Sequence, residues 1–299
     1  MTTSHTAGAD ARVPAKLTIP GIQAMKERGE RIAMLTAYDA AGARLAEAAG
    51  MDMLLVGDSA AMVVLGHDST VPVTMDEMLM MTRAVSRSVE RPIVVGDLPF
   101  GAFQVSDVEA TANAVRFVKE AGADVVKLEG AGPMLSRAAA IVAAGIPVMG
   151  HIGLTPQSST ALGGFKAQGR TAAAARTLVE DALALREAGC FAIVLEAVPE
   201  GVARRITALL QIPTIGIGAG AACDGQVLVY HDLLGLTQGQ TARFVKRYAD
   251  LDTVIGEALT AYVSDVRSGA YPEERHTYRM PESELAEFEA SFEAIAEDA

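Results

Sequence analysis

Short runs of apolar residues recur along the chain, and a helical pattern separates each run from the next. The runs are continuous in Val, Ile and Leu rather than alternating, which is typical of parallel strands covered on both faces. Four of them follow a glycine placed where a helix would end in a left-handed residue, namely Gly50, Gly122, Gly145 and Gly189. The pattern predicts eight strands, in the segments 31–39, 51–58, 91–97, 123–129, 146–151, 190–196, 212–218 and 225–230.

Eight repeats of strand and helix predict an α/β fold, a (β/α)₈ TIM barrel. Two of the helices should begin with capping boxes, Thr74 with Glu77 and Ser106 with Glu109. A doubly wound open sheet is the alternative, but such a sheet rarely needs eight strands of this regularity. We expect one barrel domain over residues 18–278, with a flexible arm before it (1–17) and an acidic extension after it (279–299).

Composition and charge exclude several classes of protein. The net charge is −12, and the segment after Arg279 carries seven acids and no Lys or Arg, which leaves −5 on the rest. A nucleic-acid partner is not expected, because no basic face is present. No apolar run approaches ~18 residues, so a membrane partner is not expected either. Cys190 and Cys223 belong to no paired motif, which fits the reducing cytoplasm.

Candidate chemistry lies at the strand ends. Besides the first segment, which ends at Asp39, four predicted strands finish on a carboxylate, and in a barrel all these ends meet at one rim. These residues are Asp58, Asp97, Glu129 and Glu196. A single acid in such a place commonly caps a helix or faces water. Four acids raise each other's pKa unless a cation intervenes, and carboxylates without a Cys–His cluster suit Mg²⁺ or Mn²⁺.

Lys127 is expected to lie beside the acids at this rim. It lies two residues before Glu129, so both side chains point to the same face of the strand. Lys127 could meet an anionic substrate group, or it could form an ion pair with no catalytic part. Glu196 remains as a general base once three acids serve a metal. His151 could donate to substrate or be an ordinary, hydrogen-bonded strand-end histidine.

Two connections at this rim are longer than plain barrel turns, 59–73 and 152–170, and both are candidates for lids. A glycine series, Gly216, Gly218 and Gly220, follows the seventh strand. Its spacing is not that of a phosphate-binding loop. We therefore expect a turn of close approach that lines the pocket, with phosphate binding as the weaker alternative.

Several ordered motifs resemble the ketopantoate hydroxymethyltransferase family over residues from about 15 to 278. They include MLTAYDA (34–40), LLVGDS (54–59), DSTVPVTMDEM (68–78), VVGDLPFGAF (94–103), VKLEG (126–130), GHIGLTPQS (150–158), LEAVP (195–199), IPTIGIGAG (212–220) and CDGQVLVYHDLLG (223–235). The resemblance implies metal ligands, substrate contacts and a catalytic base. These are Asp58, Asp97 and Glu129 for the metal, Ser59, Asp97, Lys127 and His151 for a 2-oxo acid, and Glu196 for the base.

The same resemblance implies a complete reaction. One Mg²⁺ per subunit would stabilise the enolate of 3-methyl-2-oxobutanoate, and 5,10-methylenetetrahydrofolate would supply the hydroxymethyl group of the product, 2-dehydropantoate (ketopantoate). This is the first step toward pantothenate and coenzyme A, and the family typically assembles as a homodecamer, a dimer of pentamers. Residues 280–299 extend past the usual end of the family.

Two alternatives remain. The first is a Mg²⁺-dependent 2-oxo acid lyase or mutase of the isocitrate lyase type, whose lid usually carries a cysteine in a loop rich in lysine and glycine. Neither Cys190 nor Cys223 lies in such a loop. The second is an inactive barrel kept as a binding protein, which predicts loss of the rim acids or of Lys127, and all of them are present.

Overall fold

The computed structural model describes residues 15–239 and 241–297. These residues form two compact units, which divide between Ala249 and Asp250. Most of the predicted arm and the last two residues of the predicted extension lie outside the described residues. The limits 1–17, 18–278 and 279–299 therefore stay predictions.

Eight parallel strands in the first unit form a closed barrel, in which each strand pairs with the next and the eighth pairs with the first. They are β1 (Ile32–Thr36), β2 (Met53–Val56), β3 (Ile93–Asp97), β4 (Val125–Glu129), β5 (Val148–Gly153), β6 (Ala192–Glu196), β7 (Thr214–Ile217) and β8 (Gly225–Leu228). Each strand overlaps one of the eight predicted segments, so the predicted (β/α)₈ barrel is confirmed.

Helices alternate with these strands. The first unit contains α1 (Ile19–Glu27), α2 (Ala40–Ala48), α3 (Ala60–Val63), α4 (Met75–Ser86), α5 (Asp107–Ala121), α6 (Met134–Ala143), α7 (Ser159–Leu162), α8 (Ala172–Glu187), α9 (Glu200–Leu209) and α10 (Tyr230–Leu234), with a 3₁₀ turn at Pro156–Ser158. The second unit contains α11 (Leu251–Ser268), a 3₁₀ turn at Glu274–His276, and α12 (Glu282–Glu297). None of the helices in the described ranges has the length and hydropathy needed to cross a membrane.

The predicted helix boundaries follow from local chemistry. At α4 the full capping box forms, with Thr74 accepting from the Glu77 backbone and the Glu77 side chain accepting from the Thr74 backbone. At α5 the Ser106 hydroxyl accepts from the Glu109 backbone, which is one half of the predicted box. The four glycines that precede strands all have positive φ, as predicted, at Gly50, Gly122, Gly145 and Gly189.

Alternate residues of each strand pack into different layers. In β2, Met53 and Leu55 belong to a cluster formed by strand residues and α1, whereas Leu54 and Val56 pack with the surrounding helices. Because the strands are buried on both faces, their sequences are continuously apolar. Ile22 of α1 is fully buried in the inner cluster, so α1 closes the amino-terminal end of the barrel. The carboxyl-terminal end is left for the polar groups.

Candidate active site

The carboxyl ends of the strands surround a cavity of about 90 Å³. All seven residues that the sequence predicted for the site line it, and the structure therefore brings the whole predicted set together. They are Asp58, Ser59, Asp97, Lys127, Glu129, His151 and Glu196. Further lining residues include Thr36 and Thr70, as well as Pro156 from the β5–α8 connection.

A buried ion pair lies at the centre of the cavity. The Nζ atom of Lys127 lies 2.7 and 2.8 Å from the two carboxylate oxygens of Asp97, and 3.8 Å from Oε1 of Glu129. Lys127 is only 3% exposed, and burial alone would lower its pKa. The carboxylates of Asp97, Glu129 and Asp58 outweigh burial and raise the pKa of Lys127 above its ordinary value. The ammonium group is therefore charged at neutral pH.

One ammonium does not balance the carboxylates around it. Burial, together with the charges of Asp97 and Glu129, raises the pKa of Asp58 well above its usual range. Burial also raises the pKa of Asp97, and it outweighs the opposing effect of Lys127. Ionising all three acids therefore costs free energy that a bound cation would offset.

His151 joins the metal-ligand candidates to the candidate base. Its Nδ1 atom is 3.2 Å from Oε1 of Glu129, and its Nε2 atom is 3.2 Å from Oε2 of Glu196. Neither contact has the alignment of a full hydrogen bond. Burial and Lys127 lower the pKa of His151, but the two flanking carboxylates outweigh them and raise it to about 9. The imidazole therefore lies between a carboxylate of the metal-ligand candidates and the carboxylate of the candidate base.

The backbone around Glu196 is unusual. Gly153, at the end of β5, has a φ of 97°, and a Cβ added there would lie 2.2 Å from the carbonyl oxygen of Glu196. Ala197, directly after Glu196, has a φ of 48° although it is not a glycine. Non-glycine residues in this region are uncommon and are found at functional sites. The strained residue directly follows the candidate base Glu196.

Ser59 is held by a residue that the sequence reasoning did not select. The hydroxyl oxygens of Tyr38 and Ser59 are 2.9 Å apart, and Tyr38 is buried with its ring against His231. Burial raises the pKa of Tyr38 above its ordinary value, so the phenol keeps its proton and can donate. Tyr38 belongs to the MLTAYDA motif, but nothing in its spacing indicated a contact with Ser59.

Gln157 is the second residue that the sequence reasoning missed. It is 5% exposed, its side-chain amide donates to Asp58, and its backbone N–H donates to Glu129. The motif GHIGLTPQS (150–158) contains Gln157. Only the residue type, an amide at the end of a strand motif, could have drawn attention to it.

Comparison with known proteins shows the family of the chain. The family model described as ketopantoate hydroxymethyltransferase matches residues 16–274. The chain belongs to the ketopantoate hydroxymethyltransferase family. The prediction from the sequence motifs is thus confirmed.

Two curated relatives show how closely the chain follows its family. A 3-methyl-2-oxobutanoate hydroxymethyltransferase of Moorella thermoacetica is 57% identical over 265 residues, which are 89% of this chain and 98% of the relative. The corresponding protein of Acidothermus cellulolyticus is 55% identical over 270 residues, 90% of this chain and 99% of the relative. The match therefore spans nearly the full length of these relatives.

Solved structures with much lower identity share the fold. A phosphonopyruvate hydrolase solved with oxalate and Mg²⁺ has a TM-score of 0.57 at 15% identity, covering 93% of this chain and 96% of its own. A 2,3-dimethylmalate lyase, described as a member of the PEP mutase/isocitrate lyase superfamily, has a TM-score of 0.57 at 15% identity, covering 94% and 98%. The alternative of a lyase or mutase is therefore matched only at the level of fold.

The donor set of the cavity fits a hard divalent cation. Oxygen ligands from carboxylates are those that Mg²⁺ and Mn²⁺ prefer, and Oε1 of Glu129 is buried without a hydrogen-bond partner among the described residues. Within the same residues, no three His, Cys, Asp or Glu side chains are already arranged around a common point as metal ligands. Lys127 instead occupies both oxygens of Asp97. The acids share a cavity and an excess of negative charge, but they do not form a closed cage.

The glycine series after β7 departs from its prediction in one respect. Close approach is confirmed, because a Cβ on Gly218 would lie 2.4 Å from Phe244, and one on Gly220 would lie 2.4 Å from Glu200. The expected place in the reaction pocket is wrong for these two glycines. They line a separate, mainly apolar cavity of about 910 Å³ beside β1 and β8, while Ile217 lines the acidic one.

Proposed function

We propose that the chain transfers a hydroxymethyl group from 5,10-methylenetetrahydrofolate to 3-methyl-2-oxobutanoate, giving 2-dehydropantoate as the first step toward pantothenate and coenzyme A. Family membership makes the chain a hydroxymethyltransferase. The observation that carries the proposal is the buried cluster of carboxylates around Lys127, with Glu196 on the far side of His151. Such a cavity suits an anionic 2-oxo acid that must lose a carbon-bound proton.

Asp58, Asp97 and Glu129 are the residues that would hold Mg²⁺, one ion per subunit. The ion would supply Lewis acidity, which stabilises negative charge on the keto oxygen of the substrate. The raised pKa of Asp58 and the unpartnered oxygen of Glu129 support this assignment.

Lys127 and Ser59 are suited to hold the substrate carboxylate. Lys127 keeps its charge in a site from which water is largely excluded, where an ion pair with an anion is stronger than in water. The Ser59 hydroxyl, fixed by its contact with Tyr38, can donate a hydrogen bond to the same carboxylate.

Glu196 acts as the general base in this proposal. Its side chain is 15% exposed, in contrast to 3% for Glu129, and within the described ranges His151 is the one residue that forms an ion-pair contact with it. The methine proton moves to the Glu196 carboxylate, and the electron pair left behind forms the new carbon–carbon bond to the methylene unit of the folate. Both carbon–nitrogen bonds of that unit break, and water supplies the oxygen of the new hydroxyl group. The methine proton and the second hydrogen of the water end on the two folate nitrogens, and tetrahydrofolate leaves. His151, whose Nε2 atom lies 3.2 Å from Glu196, limits the movement of the Glu196 carboxylate. We assign to His151 the substrate contact predicted from the sequence.

Hydrogen exchange without folate tests the first half of the reaction. In heavy water with Mg²⁺, the wild-type enzyme should replace the methine hydrogen of 3-methyl-2-oxobutanoate with deuterium, followed by proton NMR. Glu196→Gln should slow exchange by about 10²- to 10⁴-fold while metal still binds. Glu200→Gln is the matched control, because Glu200 is exposed in the next helix and pairs with Arg204.

Two outcomes would contradict the proposal at different points. Exchange at the wild-type rate in Glu196→Gln would remove Glu196 from its role. Failure of the wild-type protein to catalyse any exchange with Mg²⁺ present would remove the reaction itself.

Family membership alone supports a proposal for the cellular location and the subunit number of the enzyme. We infer a cytoplasmic enzyme that assembles as a homodecamer, a dimer of pentamers. Sedimentation equilibrium of the full chain measures the subunit number, and a smaller assembly would overturn this inference.

A further inference from the structure

Gln157 has every polar group of its side chain and its backbone N–H engaged inside the site. It lies in the 3₁₀ turn that follows β5, next to Pro156, which lines the cavity. Its Nε2 atom donates to Oδ2 of Asp58 at 2.9 Å and to the carbonyl oxygen of Leu98 at 3.0 Å. Its backbone N–H donates to Oε2 of Glu129 at 3.0 Å. One residue thus contacts two of the three acids assigned to the metal.

We propose that Gln157 is a positioning residue for the metal site, which orients the carboxylates of Asp58 and Glu129 so that both can bind the same ion. This inference rests on the proposed metal ligands. The contacts of Glu129 show how it works, because Gln157 occupies Oε2 while Oε1 is buried without a hydrogen-bond partner among the described residues. Hydrogen bonds from neighbouring groups commonly fix the orientation of metal ligands in this way.

The chemistry of the contacts requires an amide at this position. Asp58 and the Leu98 carbonyl are both acceptors, so they need the –NH₂ group of the side chain. A glutamate would place a second carboxylate within hydrogen-bond distance of Asp58, where it has no hydrogen to donate and its charge repels Asp58. An asparagine is one methylene shorter and would not span the same distance from the turn.

A second glutamine fixes the amide in this orientation. Nε2 of Gln104 donates to Oε1 of Gln157 at 3.1 Å. Oε1 of Gln104 in turn accepts from the backbone N–H of Gly101 at 2.7 Å and of Phe103 at 3.4 Å. Because Gln104 is held by the backbone after β3, its –NH₂ group faces Gln157. The orientation of Gln157 is therefore determined before any ligand binds.

Metal affinity of the full chain tests the inference, with Mn²⁺ as the probe and its electron paramagnetic resonance signal as the readout. Gln157→Met keeps the length and the backbone N–H but removes the amide, and it should weaken Mn²⁺ binding by about 10- to 100-fold. Gln104→Glu keeps the acceptor for Gly101 and removes the donor to Gln157. It should weaken binding by a few-fold, because its effect acts only through Gln157.

Gln168→Met is the matched control. Gln168 lies in the same β5–α8 connection and is half-buried, and its side chain donates a hydrogen bond to the Lys166 carbonyl, outside the metal site. Its substitution should leave Mn²⁺ affinity unchanged. Asp58→Asn should abolish Mn²⁺ binding and serves as the positive control for the site.

The outcomes separate this inference from the proposed function. If a folded Gln157→Met protein binds Mn²⁺ with wild-type affinity, the positioning role is overturned. This holds whether or not the substitution lowers the melting temperature. If Gln157→Met does not fold, wild-type affinity in Gln104→Glu would overturn it instead. Failure of the wild-type chain to bind Mn²⁺, or undiminished binding by Asp58→Asn, would contradict the metal assignment on which the inference rests.

Discussion

The carboxylates at the two ends of the barrel differ in how their charges are paired. At the amino-terminal end, an aspartate stands directly before each of β2, β4 and β8, at Asp52, Asp124 and Asp224. Each aspartate accepts a hydrogen bond from a backbone N–H of the neighbouring strand and also forms an ion pair with a lysine or arginine side chain. The pairs are Asp52 with Ala33 and Arg91, Asp124 with Val94 and Lys16, and Asp224 with Thr214 and Lys26.

At the carboxyl-terminal end the acids outnumber their cations. Asp58, Asp97 and Glu129 face one another around Lys127, and one buried oxygen of Glu129 has no hydrogen-bond partner in the described part of the chain. Paired carboxylates with backbone donors stabilise a folded chain. Crowded ones cost stability and are kept where function requires them. The comparison shows that carboxylates stabilise the fold at one end of the barrel and are suited to bind a ligand at the other.

The largest expected effect is at the crowded end. Asp58→Asn should lower turnover by about 10³-fold, because a lost metal contact forfeits several kcal/mol of charge stabilisation. The same change should raise the free energy of unfolding of the metal-free protein at neutral pH, by about 1 kcal/mol. The raised pKa of Asp58 means that its protonated form stabilises the fold at low pH, and this stabilisation is lost as the pH rises. Kinetics and urea unfolding measure the two effects.

A metal-free Asp58→Asn protein that is less stable than wild type would contradict this account. So would one whose stability falls with rising pH as steeply as that of the wild-type protein. In either case the crowding of the acids would not be the source of strain at this end.

A smaller effect of the opposite kind is expected at the amino-terminal end. Asp224 accepts from Lys26 Nζ at 2.7 Å and from the Thr214 backbone at 2.8 Å, and both charged side chains are mostly buried. Asp224→Asn should lower the free energy of unfolding by about 2 kcal/mol, because it leaves Lys26 without its counter-charge. Turnover of the folded enzyme should not change, since the active site lies at the other end. Loss of activity without loss of stability would argue against the division of roles.

The smallest effect is expected at Asp124. Its pair with Lys16 has the same 2.7 Å separation, but the side chains are 35% and 40% exposed. Water screens such a pair, so Asp124→Asn should cost only about 0.5 kcal/mol in urea unfolding. A cost equal to that of Asp224→Asn would show that exposure does not rank these pairs.

Much of the site was predictable because barrels place strand ends together. Once eight strands were assigned, Asp58, Asp97, Glu129 and Glu196 had to meet at one rim, and Lys127 followed from its spacing to Glu129. The roles of Tyr38 and Gln157 were not predictable in this way. Each acts through a contact between distant segments, as between Gln157 and Asp58, and such a contact leaves no local pattern.

The glycines show the same limit. Gly50, Gly122, Gly145 and Gly189 were assigned correctly because a helix end followed by a strand is a local signal. Gly218 was expected in the reaction pocket, but its neighbour is Phe244, which lies far along the chain. Local spacing indicated close approach and could not indicate which surface was approached.

The sequence alone predicted a barrel with acids at its carboxyl-terminal end, and its motifs predicted the family. These predictions were possible because strand periodicity, helix-ending glycines and strand-end carboxylates are local patterns of neighbouring residues. The tertiary structure decided the rest: His151 lies between two glutamates, Gln157 contacts both Asp58 and Glu129, and three further aspartates form ion pairs at the opposite end of the barrel. These depend on which distant side chains come within about 3 Å of each other, the length of a hydrogen bond. Only the closed barrel sets those distances.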